Sequence, residues 1–155
     1  MTEPSTRKLN EILNKLRDIE NRFDKIETQY FKKRGLPWKA TVPSLQVCKD
    51  IVSAFNSGQF YTFDYEMQRL AEFYGIQPMD NRTDPEKVPK NAIACYHPSE
   101  RTAFYKKPTT DLHTLLHEFF HHLHSEGVVF LYSDENVEKC ANGFADIVIA
   151  RGQIP

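Results

Sequence analysis

One helix-forming stretch constrains the fold of this chain more than any other. Residues 117–124 read HEFFHHLH, which places four histidines and one glutamate in eight positions. Apolar side chains recur on one face of the same helix and predict that this face is buried; they are Leu112, Leu116, Phe120 and Leu123. Histidines beside a buried face need polar partners or a metal ion. The fold must therefore bring a second element against this helix.

The stretch contains an HExxH motif formed by His117, Glu118 and His121. Residues four apart on an α-helix lie about 40° apart around the axis, so both imidazoles can reach one ion. Glu118 lies about 100° from His117, where a general base can take a proton from a metal-bound water. The motif therefore predicts a zinc site with Glu118 as general base. The alternative is a helix whose histidines are packed or solvated without a metal.

Several residues are candidates for the third metal ligand. His124 lies on the same stripe as His117, but about one turn beyond His121. Glu138 begins an ExxxN spacing that places Asn142 on the same helical face, so Glu138 can bind a metal while Asn142 hydrogen-bonds a ligand. Glu135 is a competing carboxylate one turn earlier, and the continuation of the stripe into Asn142 favours Glu138.

The remaining patterns predict an α+β protein. Two helices are expected at about 42–56 and 63–74, followed by a proline-rich segment over 77–91 that is a loop or the lead-in to a hairpin. The short aromatic runs 92–97 and 102–107 flank PSER and predict an antiparallel hairpin. The HExxH helix and a last helix, which reaches about Ala150, complete the chain. We therefore expect a short antiparallel sheet packed on the HExxH helix and on the helix that carries Glu138.

A long helix is predicted for the first third of the chain. Its apolar residues alternate at spacings of 3 and 4 from Leu9 to Tyr30, as in a coiled-coil seam. Basic residues on one flank and glutamates on the other favour a parallel homodimer through residues 8–31 if the helix self-associates. Leu13 widens the stripe and favours the alternative, in which the helix lies along its own domain. The expected division is 1–36 for this helix and 37–155 for the second domain.

Composition argues against several classes of protein. The net charge is −1, with 20 basic and 21 acidic side chains, so a nucleic-acid partner is not expected. No apolar run approaches the roughly 20 residues of a membrane span, and the N-terminus has no apolar signal-peptide core. The three cysteines lack CxxC spacing and are expected to be reduced. These features predict a cytoplasmic protein without a membrane partner.

The two motifs together resemble the gluzincin zinc metallopeptidases, and most closely the ImmA/IrrE type, in which HExxH is followed by ExxANxFA. The resemblance covers about residues 62–150. It implies a small gluzincin-like core, with Zn²⁺ bound by His117, His121 and Glu138 and with Glu118 as general base. The second motif is carried by Glu138, Ala141, Asn142, Phe144 and Ala145.

The resemblance implies further site residues. Asn142 would form a hydrogen bond to a metal ligand. The second strand of the hairpin would be the edge that aligns an extended peptide. That strand contains Thr102, Ala103, Phe104 and Tyr105. Tyr132 is a candidate for stabilising the oxyanion, with Tyr105 as the other candidate, and both are equally compatible with packed aromatics. His124 is a candidate electrophile or substrate ligand, or a solvated histidine, and His113 has the same alternatives. His122 is expected to face elsewhere.

The implied activity is hydrolysis of a peptide bond in a protein or peptide substrate, and family members often cleave a repressor protein. This chain departs from the family in having Phe119-Phe120 inside HExxH and a heptad helix in place of a helix-turn-helix. The alternative function is a metal-binding regulatory or scaffold protein with little or no turnover, which acts through its N-terminal helix. Glu118 favours an enzyme, because a structural zinc site does not require it.

Overall fold

The computed structural model describes residues 4–34, 42–108, 111–129 and 137–154, with side chains described for 6–22 in the first range. Within these residues the chain forms five α-helices and a three-stranded mixed sheet, which confirms the α+β class. Contacts group Met1–Lys39 into one compact unit and Ala40–Pro155 into another. No helix in the described part is long and apolar enough to cross a membrane.

The first unit contains one long helix, α1, which spans Pro4–Arg34. Its 31 residues confirm the predicted N-terminal helix. Every side chain described in it, from residue 6 to residue 22, is exposed.

The second unit begins with two helices, α2 (Leu45–Asn56) and α3 (Phe60–Phe73). Ser44 caps α2, because its side chain accepts a hydrogen bond from the Val47 amide. The helix therefore begins three residues later than the expected 42. Helix α3 instead begins three residues before the expected 63, and Gly75 follows it with φ +71°, a conformation that glycine adopts without strain.

Three short strands form the sheet: β1 (Asp80–Thr83), β2 (Ala94–His97) and β3 (Thr102–Tyr105). Strands β2 and β3 pair antiparallel, which confirms the predicted hairpin. The spatial order is β1-β3-β2, with β1 parallel to β3.

Strand β1 lies inside the segment 77–91 that the sequence predicts to be a loop or a hairpin lead-in, so the expectation of a loop is wrong for Asp80–Thr83. All four residues of β1 are exposed, and the polar sequence DNRT lacks the alternation of a half-buried strand. Backbone hydrogen bonds hold it instead: Asp80 N donates to Arg101 O and Asp84 N donates to Tyr105 O, each at 3.0 Å. A strand held by its backbone at a sheet edge leaves little signal in side-chain pattern.

The core of the second unit lies between α4 (Leu112–Ser125) and α5 (Val137–Gly152). Phe119, Phe120 and Phe144 are fully buried and pack against one another, with ring centroids 6.3 Å and 5.7 Å apart for the two pairs that include Phe144. The predicted apolar stripe of α4 is buried throughout. At its other end α5 packs on α2, where a Cβ at Gly152 would lie 2.2 Å from Val52 Cγ2.

Candidate metal centre

Side-chain hydrogen bonds fix the N-terminal end of helix α4, which carries the histidines. Asp111 is its N-cap and accepts hydrogen bonds from the His113 amide at 3.0 Å and the Thr114 hydroxyl at 2.8 Å. With the apolar face of α4 buried, His117 and His121 emerge on the side that faces a cleft of about 780 Å³.

His117, His121 and Glu138 converge in this cleft, and their donor atoms all lie within 4.8 Å of one another. His117 Nε2 lies 2.9 Å from Glu138 Oε2, and His121 Nε2 lies 2.9 Å from Glu138 Oε1. The two Nε2 atoms are 3.2 Å apart. In a tetrahedral site with Zn–N and Zn–O bonds of about 2.0–2.1 Å, neighbouring ligand atoms are about 3.3 Å apart. The ligand atoms are therefore close enough together to hold one metal ion.

The register between α4 and α5 creates this convergence. Residues at intervals of four on α4 meet residues at intervals of four on α5, which runs in the opposite direction. His113 Nε2 donates to Asp146 Oδ1 at 3.0 Å, and His117 Nδ1 donates to Asn142 Oδ1 at 2.7 Å. The contact between His121 and Glu138 is the third such pair, and we call the three pairs a ladder with three rungs. The two helices therefore align three polar pairs along one groove.

The middle rung, the hydrogen bond between His117 and Asn142, determines which nitrogen of a neutral His117 ring can bind a cation. An amide oxygen only accepts, so Nδ1 carries a proton, and in the neutral ring the lone pair is on Nε2, on the side of the cleft. In this tautomer, neutral His117 cannot donate to the Glu138 carboxylate that lies 2.9 Å from Nε2. A lone pair and a carboxylate aimed at the same point fit a shared cation.

Burial lowers the pKa of His121, and the nearby His117 lowers it further, while the Glu138 carboxylate acts in the opposite direction. The lowered pKa favours the neutral imidazole, which is the form that binds a metal ion.

Glu118 lies beside this cluster and lines the same cleft. The residue is buried at 5% exposure, and its Oε2 has no hydrogen-bond partner in the described structure. Burial, together with the charge of Glu138, raises the pKa of the Glu118 carboxyl to about 7. A buried, unpartnered carboxyl with a pKa near neutrality is a strong candidate for a proton acceptor.

Strand β2 forms the opposite wall of the cleft, with Ala94, Cys95 and Tyr96 among the lining residues. This corrects the prediction that Thr102, Ala103, Phe104 and Tyr105 form the substrate edge. Those four residues are strand β3, which is buried and paired on both sides by β1 and β2. Only an outer strand offers unpaired backbone groups, and among the described residues the outer strand that lines the cleft is β2, not β3.

Tyr105 is also removed as an oxyanion candidate. Its hydroxyl donates to Asn81 Oδ1 at 2.7 Å, and its side chain lines a separate cavity of about 750 Å³ beside β1. The other tyrosine candidate, Tyr132, and the competing ligand Glu135 lie outside the described residues. His124 lines the cleft and is half-buried, but it is not part of the three-residue cluster.

Two hydrogen bonds of the buried His122 side chain link β2 to α4 and to Gln77, and the sequence did not predict them. His122 is fully buried, and its Nε2 donates to Gln77 O at 2.7 Å, so Nδ1 accepts from the Tyr96 hydroxyl at 2.6 Å. Burial lowers the pKa of His122, which keeps the ring neutral. His122 thus faces away from the metal cluster, as predicted. The hydrogen bond between Tyr96 and His122 therefore connects the cleft wall formed by β2 to the helix that carries the ligands.

Comparisons with known proteins add no family assignment. No protein-family model matches the chain. No curated protein and no solved structure matches it either.

Proposed function

We propose that this chain is a zinc-dependent metallopeptidase of the gluzincin type, similar to the ImmA/IrrE enzymes. The observation that carries the proposal is the convergence of His117, His121 and Glu138 from two helices, with Glu118 buried beside them. Two imidazoles and one carboxylate are the protein ligands of many catalytic zinc sites, which keep a fourth position open.

The residues present fit a zinc ion. His117 and His121 would supply nitrogen ligands, Glu138 an oxygen ligand, and Asn142 would hold the His117 ring in its metal-binding tautomer. When bound, zinc would polarise a peptide carbonyl and lower the pKa of a coordinated water. Glu138 is 68% exposed at its side chain, so the site opens towards the cleft.

Glu118 would act as the general base. Its Oε2 faces no competing donor, so it is free to accept a proton from water. The same oxygen would then pass that proton to the amine nitrogen that leaves when the peptide bond breaks. Burial raises the pKa of Glu118 in the metal-free protein, and a bound cation would favour the ionised carboxylate, which is the form that accepts a proton.

The outer edge of β2 would hold the substrate as an added strand. Lys106 N donates to Ile93 O, and Ala94 lies opposite Tyr105 in the register with β3. Because backbone groups alternate between the two edges of a strand, those of Ala94 and Tyr96 point away from β3. These groups would pair with an extended peptide, so the proposed substrate is a protein segment without its own secondary structure.

Metal content tests the site directly. Wild-type protein and a Glu138→Ala variant are dialysed against zinc and then against metal-free buffer, and zinc per chain is measured by elemental analysis. We expect about one zinc per chain in the wild type and little in Glu138→Ala. Glu72→Ala, which removes an exposed carboxylate from α3, is the matched control and should retain the metal. A wild type that retains no zinc would overturn the proposal.

Turnover is tested on a mixture of unstructured peptides whose new termini are identified by mass spectrometry. Glu118→Gln should bind zinc as the wild type does and lose hydrolysis by on the order of 100-fold or more. Ala94→Pro should remain folded, because proline is tolerated on an outer strand, and should weaken substrate binding by removing one outward N–H. Cleavage by Glu118→Gln at the wild-type rate would refute its role as base.

A second candidate function is a metal-binding scaffold that acts through α1. The exposed apolar side of α1 favours it, because such a surface needs a binding partner. Zinc bound at one per chain without hydrolysis of any peptide would support this alternative.

A further inference from the structure

Helix α1 carries an apolar stripe that is exposed to solvent. Leu9, Ile12, Leu16 and Ile19 are 47–56% exposed, and Leu13 beside them is 45% exposed. The helix is about 46 Å long at 1.5 Å per residue, and the stripe follows it for several turns. Exposed apolar area of this extent is unfavourable in water, and a helix in solution gains most of its stability by covering such a face.

The spacing of the stripe matches another helix better than the surface of a globular domain. Apolar residues fall at positions a and d of a heptad, with Leu13 added at an e position, which gives a seam with a period of 3.5 residues. The a positions are Leu9, Leu16, Phe23 and Tyr30, and the d positions are Ile12, Ile19 and Ile26. Such a seam packs on a helix with the same repeat.

We propose that α1 forms a parallel two-stranded coiled coil with α1 of a second copy of this chain. The charges that flank the seam identify this partner. Position g carries Lys15 and Arg22, and position e carries Glu20 and Glu27. In a parallel pair, each g residue faces the e residue five positions later on the partner, so Lys15 meets Glu20 and Arg22 meets Glu27.

The same charges disfavour the antiparallel arrangement. There, g faces g and e faces e, so basic residues would meet basic residues and glutamates would meet glutamates. Leu13 also fits the parallel pair. It occupies an e position opposite Lys8 at g, whose aliphatic stem can cover the leucine while its ammonium group stays in water. This inference is independent of the proposed enzymatic function.

The first test is the mass of the full chain in solution, measured by light scattering during size-exclusion chromatography. At about 50 µM we expect twice the 18.1 kDa chain mass. Leu16→Asp/Ile19→Asp should weaken association by about 100-fold or more, because it places charges in the seam. Asn14→Asp/Asn21→Asp adds the same charge at f positions outside the seam and should remain dimeric.

The second test examines orientation and does not depend on a disrupted seam. The variant Lys15→Glu/Glu20→Lys/Arg22→Glu/Glu27→Lys exchanges the charges of the two flanks. It should dimerise with itself, and after mixing with wild type under exchange conditions it should form fewer mixed dimers than random pairing gives. An antiparallel pair predicts the opposite result, an excess of mixed dimers. Native mass spectrometry separates the three species.

Three results would overturn the proposal: a monomeric wild type at this concentration, a dimer that survives Leu16→Asp/Ile19→Asp, or an excess of mixed dimers in the exchange experiment. Zinc content is measured on the same samples. None of these substitutions replaces a residue of the metal cluster, so each should leave zinc binding unchanged. Failure of the dimer is therefore distinguishable from failure of the metal site.

Discussion

Replacing Glu118 with glutamine should stabilise the metal-free protein in a way that depends on pH. Glu118 is buried, its Oε2 has no hydrogen-bond partner in the described structure, and its pKa is raised from 4.5 to about 7 by burial and by Glu138. Because the folded state binds this proton more tightly than the unfolded state, stability falls as pH rises from about 4.5 and the loss is complete above about 7. Glutamine has nearly the same shape and never ionises.

The size of the effect follows from the two pKa values. Between pH 4.5 and about 7, each pH unit lowers the free energy of unfolding by about 1.4 kcal/mol. At pH 8 the raised pKa of Glu118 therefore costs the folded protein about 3 kcal/mol, and at pH 5, where the side chain is ionised mainly in the unfolded state, it costs about 1 kcal/mol. The cost of burying the glutamine amide is the same at both pH values, so it cancels in the comparison.

The assay is urea denaturation of wild type and Glu118→Gln in chelator, at pH 5 and at pH 8. The stability of the variant relative to wild type should be about 2 kcal/mol more favourable at pH 8 than at pH 5. Glu72→Gln on the exposed surface of α3 is the control and should show the same relative stability at both pH values. An equal difference for Glu118→Gln at the two pH values would refute the argument that a buried carboxylate is ionised at cost. Bound zinc should remove the effect, because a nearby cation favours the ionised form.

Three further substitutions test the packing and the support of the site. Gly152→Ala should destabilise the protein by about 3 kcal/mol or more in urea titration, because the new Cβ would lie 2.2 Å from Val52 Cγ2. Tyr96→Phe leaves the buried Nδ1 of His122 without its donor and should cost about 1–3 kcal/mol in the same assay. Asn142→Ala should weaken zinc binding by about 10–100-fold in competition with a chromogenic chelator, because the His117 ring loses its support.

The parts of the site that are local on one helix could be predicted from the sequence. His117 and His121 share a face because helical geometry alone places residues four apart together. Their orientation towards a cleft followed from the apolar stripe on the opposite side of α4, since burying that stripe turns the histidines outward. The choice of Glu138 required a second motif, and its position in the cluster depends on the packing of α5 against α4.

The sheet could be predicted only where its strands are apolar. Strands β2 and β3 have aromatic and apolar residues, whereas β1 is polar and held by its backbone, so it was missed. The substrate edge was implied by the family resemblance, and the position of β3 in the sheet bears on it. A two-stranded hairpin has β3 at an edge, but the parallel addition of β1 moves β3 to the centre and leaves β2 facing the cleft. Pairing between distant segments is set by tertiary structure, which side-chain pattern does not encode.

The ladder between α4 and α5 links metal binding to the packing of the two helices. Rotating α5 by one residue would turn Glu138, Asn142 and Asp146 by about 100° away from their histidine partners, so all three rungs would be lost together. The packing of Phe144 against α4 prevents that rotation, because the ring is fully buried. The aromatic core and the polar ladder therefore specify the same register from opposite sides of the interface. Because a metal ion would require that register, its binding energy would add directly to the stability of the α4–α5 contact.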